Sequence, residues 1–264
     1  MRHVPQADVN GQRLYYEDSG GNGPPVILAH GFLMDRSMFD RQVEVLAPTY
    51  RVVTWDERGF GQTEFDDQPF TYWDSARDLL GLMDHLGIER AVIGGMSQGG
   101  FLSLRAALLA PDRVRALILL DTAATAQHPA VAEQEQQMAA MWLEHGPIDE
   151  LTNAVADLII ADPVESRRWI AMWKARPKEL MRHPSACLFG RDDLTDRLAD
   201  ITCPALVVHG VDDNALPMED AHHLAERLAG AGPVVEVPGA HAANLTHPGP
   251  VNGALLRFLT DLPD

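Results

Sequence analysis

The sequence is poor in cysteine, in basic charge and in long apolar runs, and each scarcity excludes something. Cys187 and Cys203 are the only two cysteines in 264 residues. No disulfide framework can be built from so few, and a reduced, cytoplasmic protein is expected. Lysine and arginine number 21 against 38 aspartates and glutamates, a formal net charge of −17. Nucleic acid demands a basic face and an anionic bilayer attracts polybasic segments, so neither partner is expected. No apolar stretch approaches the roughly 20 residues of a membrane helix. The start, Met1-Arg2-His3-Val4-Pro5, is not followed by the apolar core of a secretion signal. H-E-x-x-H, paired-cysteine and phosphate-loop patterns are missing too, and Gly20-Gly21-Asn22-Gly23 precedes a strand pattern where a nucleotide loop would precede a helix. No metal and no cofactor is expected. The expected partner is a small molecule, handled by a monomer or a homodimer.

What is present is a sizeable apolar fraction, 46%, arranged in a clear rhythm. Asn10-Gly11 between two alternating runs is a hairpin signal, because both residues tolerate positive φ. Short apolar runs follow at 26–29, 52–55, 91–93, 116–120, 205–208 and 234–237. Each is too short for a helix and apolar on both faces, as parallel strands between helix layers are. Helical patterns sit between several of them. Thr71-Tyr72-Trp73-Asp74 reads as a capping box, with Leu79, Met83 and Leu86 on one face beyond it. Residues 98–110 are apolar almost all round and stop at Pro111, and further helices are expected at 221–228 and 250–259. The alternation predicts an α/β fold with a mostly parallel, doubly wound sheet. Between Asp121 and Pro204 the strands cease, and helical patterns occupy 130–145, 149–160, 163–175 and 178–188. An all-helical insertion follows, with 1–124 and 191–264 forming the α/β core and 125–190 the insertion.

The sharpest local feature is Gly95-Met96-Ser97-Gln98-Gly99, between a buried strand and a buried helix. G-x-S-x-G alone is weak, but a strand–turn–helix context gives it meaning. So sharp a turn strains the serine backbone, leaves no room for side chains at Gly95 and Gly99, and raises the Ser97 hydroxyl above the sheet edge. It also turns the helix N-terminus, and the Gln98 N–H with it, toward a developing oxyanion.

A serine hydroxyl needs a base. Of 11 histidines, His241 follows the last strand pattern, so its loop leaves the same carboxyl edge as Ser97, where ligands of open α/β sheets collect. His247 sits before Pro248 at an expected helix start. His30 and His209 end strands on this edge too, each before a glycine, and are read as shaping their loops. His222 and His223 fall on a helix. An acid must then orient the imidazole. Two adjacent aspartates, Asp212 and Asp213, compete in the loop after 205–208, and Asp121 ends the neighbouring strand pattern. The chain order serine, acid, histidine suits the loop pair.

These pieces resemble the α/β-hydrolase superfamily along essentially the whole chain: His30-Gly31-Phe32, Asp56-Glu57-Arg58-Gly59-Phe60-Gly61, the turn around Ser97, the segment from Gly210 to Pro217, and Gly239-Ala240-His241. The resemblance implies an acid three residues after the glycine of G-x-x-D-x-x-x-P, which selects Asp213. It implies a second oxyanion donor at the Phe32 N–H, a structural role for Arg58, and a cap built from the insertion. Met138, Met141, Trp142, Trp169 and Trp173 cluster at helical spacing there. Most should pack the insertion onto the core, while some, with Phe32, line an apolar pocket. A basic pocket near Arg167, Arg168 or Arg176 would favour a substrate bearing a carboxylate.

The expected activity is hydrolysis of a carboxylic ester through an acyl-enzyme, with Ser97, Asp213 and His241 as the triad. A lactonase is the nearest alternative, since Gly239-Ala240-His241-Ala242-Ala243-Asn244-Leu245 is similar to the tail of enol-lactonases. A carbon–carbon bond hydrolase and perhydrolysis are more remote. Serine at 97 excludes the dehalogenases and epoxide hydrolases that use aspartate there. A non-catalytic ligand-binding member would be expected to have lost a triad residue, and here all three positions are filled.

Overall fold

A computed structural model describes residues 5–127 and 129–263. Residues 1–4, part of the start read as lacking a leader, lie outside it. Asn10 and Gly11 take positive φ, 48° and 80°, and join β1 (Gln6–Val9) to β2 (Gln12–Asp18) as an antiparallel hairpin. Six further strands follow: β3 (Pro25–Ala29), β4 (Arg51–Trp55), β5 (Ala91–Met96), β6 (Val114–Leu120), β7 (Ala205–Gly210) and β8 (Val235–Val237). They form one eight-stranded sheet in the order β1-β2-β4-β3-β5-β6-β7-β8. β2 pairs antiparallel with β4, and every pairing from β4 to β8 is parallel.

Alternate residues of the central strands enter two different cores. Ile27, Ile93, Leu117 and Leu119 pack on one face with α2 (Tyr72–His85), α3 (Gln98–Leu109) and α8 (Met218–Arg227). Val26, Leu28, Ile118 and Leu120 pack on the other with α1 (Asp40–Leu46) and α10 (Pro248–Asp261). Both strand faces are therefore dry, which is why these strands read as unbroken apolar runs. The capping box is formed: the Thr71 N–H donates to Asp74 Oδ2 at 2.9 Å. The helix α1 and the 3-10 turn Arg36–Phe39 before it carry no strong sequence signal, being short and led by a single turn.

Between β6 and β7 the chain makes α4 (Pro129–His145), α5 (Asp149–Ile159), α6 (Pro163–Ala175), the 3-10 turn Lys178–Met181, α7 (Arg182–Phe189) and a further 3-10 turn, Thr195–Asp200. The pattern at 178–188 thus divides in two. Trp142, Trp169 and Trp173 of this insertion are buried in the same core as α1 and α10. Cys187 and Cys203 are free thiols. Among the described residues no helix is long and apolar enough to cross a membrane.

The strand order reverses around β3, which has β4 on one side and β5 on the other. Loops leaving the carboxyl ends of β3 and β5 therefore part in opposite directions and open a crevice between them.

Candidate active site

Ser97 stands at that crevice. Its backbone is held at φ 51°, ψ −112°, a region costly for any residue with a Cβ. The surroundings leave it no choice. The Ser97 N–H donates to Leu120 O at 2.9 Å, and its carbonyl accepts from Gly100 N, Phe101 N and the Thr122 hydroxyl at 2.9, 3.1 and 2.7 Å. The flanking glycines let the turn close. A Cβ on Gly95 would lie 2.1 Å from the Ala29 carbonyl oxygen, and one on Gly99 2.0 Å from the same atom.

His241 and Ser97 line one cavity of about 140 Å³. His241 Nδ1 lies 2.7 Å from Asp213 Oδ2, whose side chain is 1% exposed. The other oxygen of Asp213 accepts from Ala215 N and Leu216 N at 2.8 and 2.9 Å. Burial pushes the Asp213 carboxyl up, but the imidazole and the Leu216 amide outweigh it and hold the group below its ordinary value. With the Nδ1 proton committed to Asp213, His241 Nε2 is left as an acceptor. Asp212 is exposed and engages its neighbours through its backbone.

The two strand-end histidines hold loops. His30 Nε2 accepts from Glu57 N at 3.0 Å, so Nδ1 carries the proton and donates to Gly31 O at 2.8 Å. Burial depresses this imidazole to about 4. His209 Nε2 lies 3.0 Å from Leu216 O. Asp121, the other strand-end acid, accepts from Gly210 N at 2.7 Å. Asp121, His209 and Asp213 bring possible ligand atoms within 4.8 Å of one another. Burial and then the Asp213 charge push the Asp121 carboxyl well above its ordinary value; His209 Nε2 and Asp213 Oδ2 already engage Leu216 O and His241, while Asp121 Oδ2 and His209 Nδ1 lack a partner among the described residues.

Phe32 lines the cavity and Gln98 opens α3 beside it. Neither backbone N–H has a hydrogen-bond partner among the described residues. Of the insertion residues expected at the pocket, Met138 and Trp142 line it. Met141 does not: it is 44% exposed, because the 138/141/142 stripe straddles the edge of the buried face of α4. Trp169 and Trp173 do not either. They are 0% and 1% exposed and hold the insertion onto the core, and Trp173 Nε1 donates to Leu33 O at 2.7 Å. A second tie, Ala242 N to Ile159 O at 2.8 Å, joins the insertion to the residue after His241. Arg58 pairs with Asp78, its Nη2 lying 2.8 Å from Oδ1, as expected of a loop-fixing residue. None of the arginines named for a basic pocket lines this cavity. Arg167 is exposed, Arg168 donates to Ser37 Oγ, and Arg176 donates to Gly59 O. Arg191, which no sequence pattern singled out, lines the cavity instead.

A family model described as alpha/beta hydrolase fold matches residues 24–248. The chain belongs to the alpha/beta hydrolase fold family. It is 30% identical over 264 residues to a proposed non-heme chloroperoxidase from Synechocystis, covering 93% of this chain and 94% of that protein. Among solved alpha/beta hydrolase structures, the enol-lactonase from Burkholderia xenovorans LB400 superposes with a TM-score of 0.89 at 30% identity, over 97% of this chain and 100% of that one. A thermophilic esterase from Thermogutta terrifontis gives 0.87 at 29% identity, over 98% and 97%.

Proposed function

We propose that this alpha/beta hydrolase cleaves carboxylic esters through an acyl-enzyme on Ser97. The observation that carries the reading is the buried His241–Asp213 bond of 2.7 Å beside a strained serine in the same cavity. Ser97 Oγ attacks the ester carbonyl while His241 Nε2 takes its proton. The N–H groups of Phe32 and Gln98 receive the oxyanion. His241 then gives the proton to the leaving alkoxide, and in the second half activates water to release the acid. Asp213 holds the imidazole tautomer throughout. The helices within 125–190 act as a cap over this cavity. The names of the similar proteins, an esterase and an enol-lactonase among them, support the reaction class.

An intramolecular ester meets the same groups in the same way, so lactone hydrolysis is the second reading, favoured by the enol-lactonase likeness. Peroxide in place of water in the second half would give perhydrolysis instead. A fluorophosphonate probe, followed by a panel of chromogenic esters and lactones, tests the proposal. Stoichiometric labelling lost in Ser97→Ala is the expected result; an unlabelled wild type, inert on the whole panel, would overturn it.

A further inference from the structure

Two charged groups in the cavity, Arg191 and Glu135, are not used by this chemistry. Arg191 stands two residues beyond α7 and lines the same space as Ser97 and His241. Its Nε donates to Thr125 O at 3.1 Å and its Nη1 to Leu188 O at 2.9 Å. Both are neutral carbonyls. Nη2 has no partner among the described residues, and no carboxylate there comes within ion-pair distance of the guanidinium. The cation lies instead 4.9 Å over the Phe101 ring. Around it the wall is largely aliphatic and aromatic. Its other charged member among the described residues is Glu135, which accepts from Gln127 Nε2 and acts on Arg191 only through space.

A cation taken out of water is costly unless something compensates for its charge. Here two carbonyl dipoles and a ring face do so in part, and burial leaves Arg191 below its ordinary value. A guanidinium that lines a largely apolar cavity with a nitrogen left over and no paired carboxylate is one half of a fork that a carboxylate fits. Phe101 fixes its place relative to the reaction: its N–H donates to Ser97 O, one turn along α3. Arg191, Ser97 and His241 line one cavity of only about 140 Å³, which suits a short spacer between the scissile carbonyl and the anion.

We propose that Arg191 determines specificity by pairing with a carboxylate on the substrate, making the preferred class short monoanionic esters or lactones, such as hemiesters of small dicarboxylic acids. This rests on the reading of Ser97 as nucleophile. Glu135 tempers the preference, since its charge opposes an incoming anion.

The test compares mono-4-nitrophenyl glutarate with its methyl-capped neutral counterpart. Wild type should favour the hemiester at least tenfold in kcat/KM. Arg191→Met should lose that preference, mainly through KM, while changing the capped ester less than threefold. Arg191→Lys, which keeps the charge without the fork, should retain part of it, and Glu135→Gln should raise hemiester kcat/KM severalfold. A wild type favouring the capped ester, or an Arg191→Met variant that slows both esters equally, would overturn the proposal. Those results differ from failure of the underlying reading, in which wild type turns over neither ester and takes no fluorophosphonate label.

Discussion

Glu57 Oε1 accepts a hydrogen bond from Gln98 Nε2 at 3.1 Å, beneath the turn that carries Ser97. The same residue's N–H donates to His30, whose other nitrogen donates to Gly31 O. One buried glutamate thus braces both stretches of backbone, 31–32 and 97–98, that would face the oxyanion. Burial raises its carboxyl well above the ordinary 4.5, which favours its protonated form.

That elevation has a sign. The folded protein keeps a proton that the unfolded chain releases above about 4.5. The contribution to stability is therefore whole below that pH and is lost as pH rises toward the folded value, at about 1.4 kcal/mol per unit of elevation. Glu57→Gln keeps the acceptor and removes the titration. Its melting temperature should match wild type near pH 4.5 and exceed it at pH 8. Glu57→Ala should instead lower kcat about tenfold with KM little changed; an unchanged kcat would show that the brace does not matter.

The adjacent aspartates separate cleanly by mutation. Asp213→Asn should reduce kcat about 10⁴-fold, because an amide can donate to His241 and so favours the wrong tautomer. Asp212→Asn, at an exposed site, should stay within twofold. Steady-state rates on one ester decide it, and a larger loss at 212 would reverse the assignment.

Ser97 is strained, with a φ of 51°. Glycine adopts its backbone angles without penalty, at some extra entropy in the unfolded chain. Ser97→Gly should therefore be inactive yet about 1 kcal/mol more stable than Ser97→Ala, measurable by urea denaturation.

Arg58 and Asp78 form a buried ion pair, 10% and 0% exposed at their side chains, with Asn10 Nδ2 also on Asp78 at 3.1 Å. Arg58→Met would strand the carboxylate and cost about 3 kcal/mol. Adding Asp78→Leu should recover part of that loss, although Asn10 then loses its acceptor, and chemical denaturation of the three variants would show whether it does.

The core strands were legible because both of their faces are dry, which leaves a signature no other short element shares. The turn at Ser97 was legible because Gly95 and Gly99 meet the Ala29 carbonyl, a clash written directly into residue choice. The cavity wall was not. Met138 and Met141 have the same spacing signal and opposite fates, since periodicity gives a face of α4 but not where that face ends. Arg191 was invisible for a related reason: its place beside Phe101 arises from how the insertion docks, a relation between segments 90 residues apart in number.

The two ties from the insertion land beside residues that line the Ser97 cavity, Trp173 on the carbonyl after Phe32 and Ile159 on the amide after His241. The roof is riveted where a hinged one would swing free. Grafting a different set of helices at this point would have to reproduce both rivets, or the new roof would arrive over a loosened cavity floor.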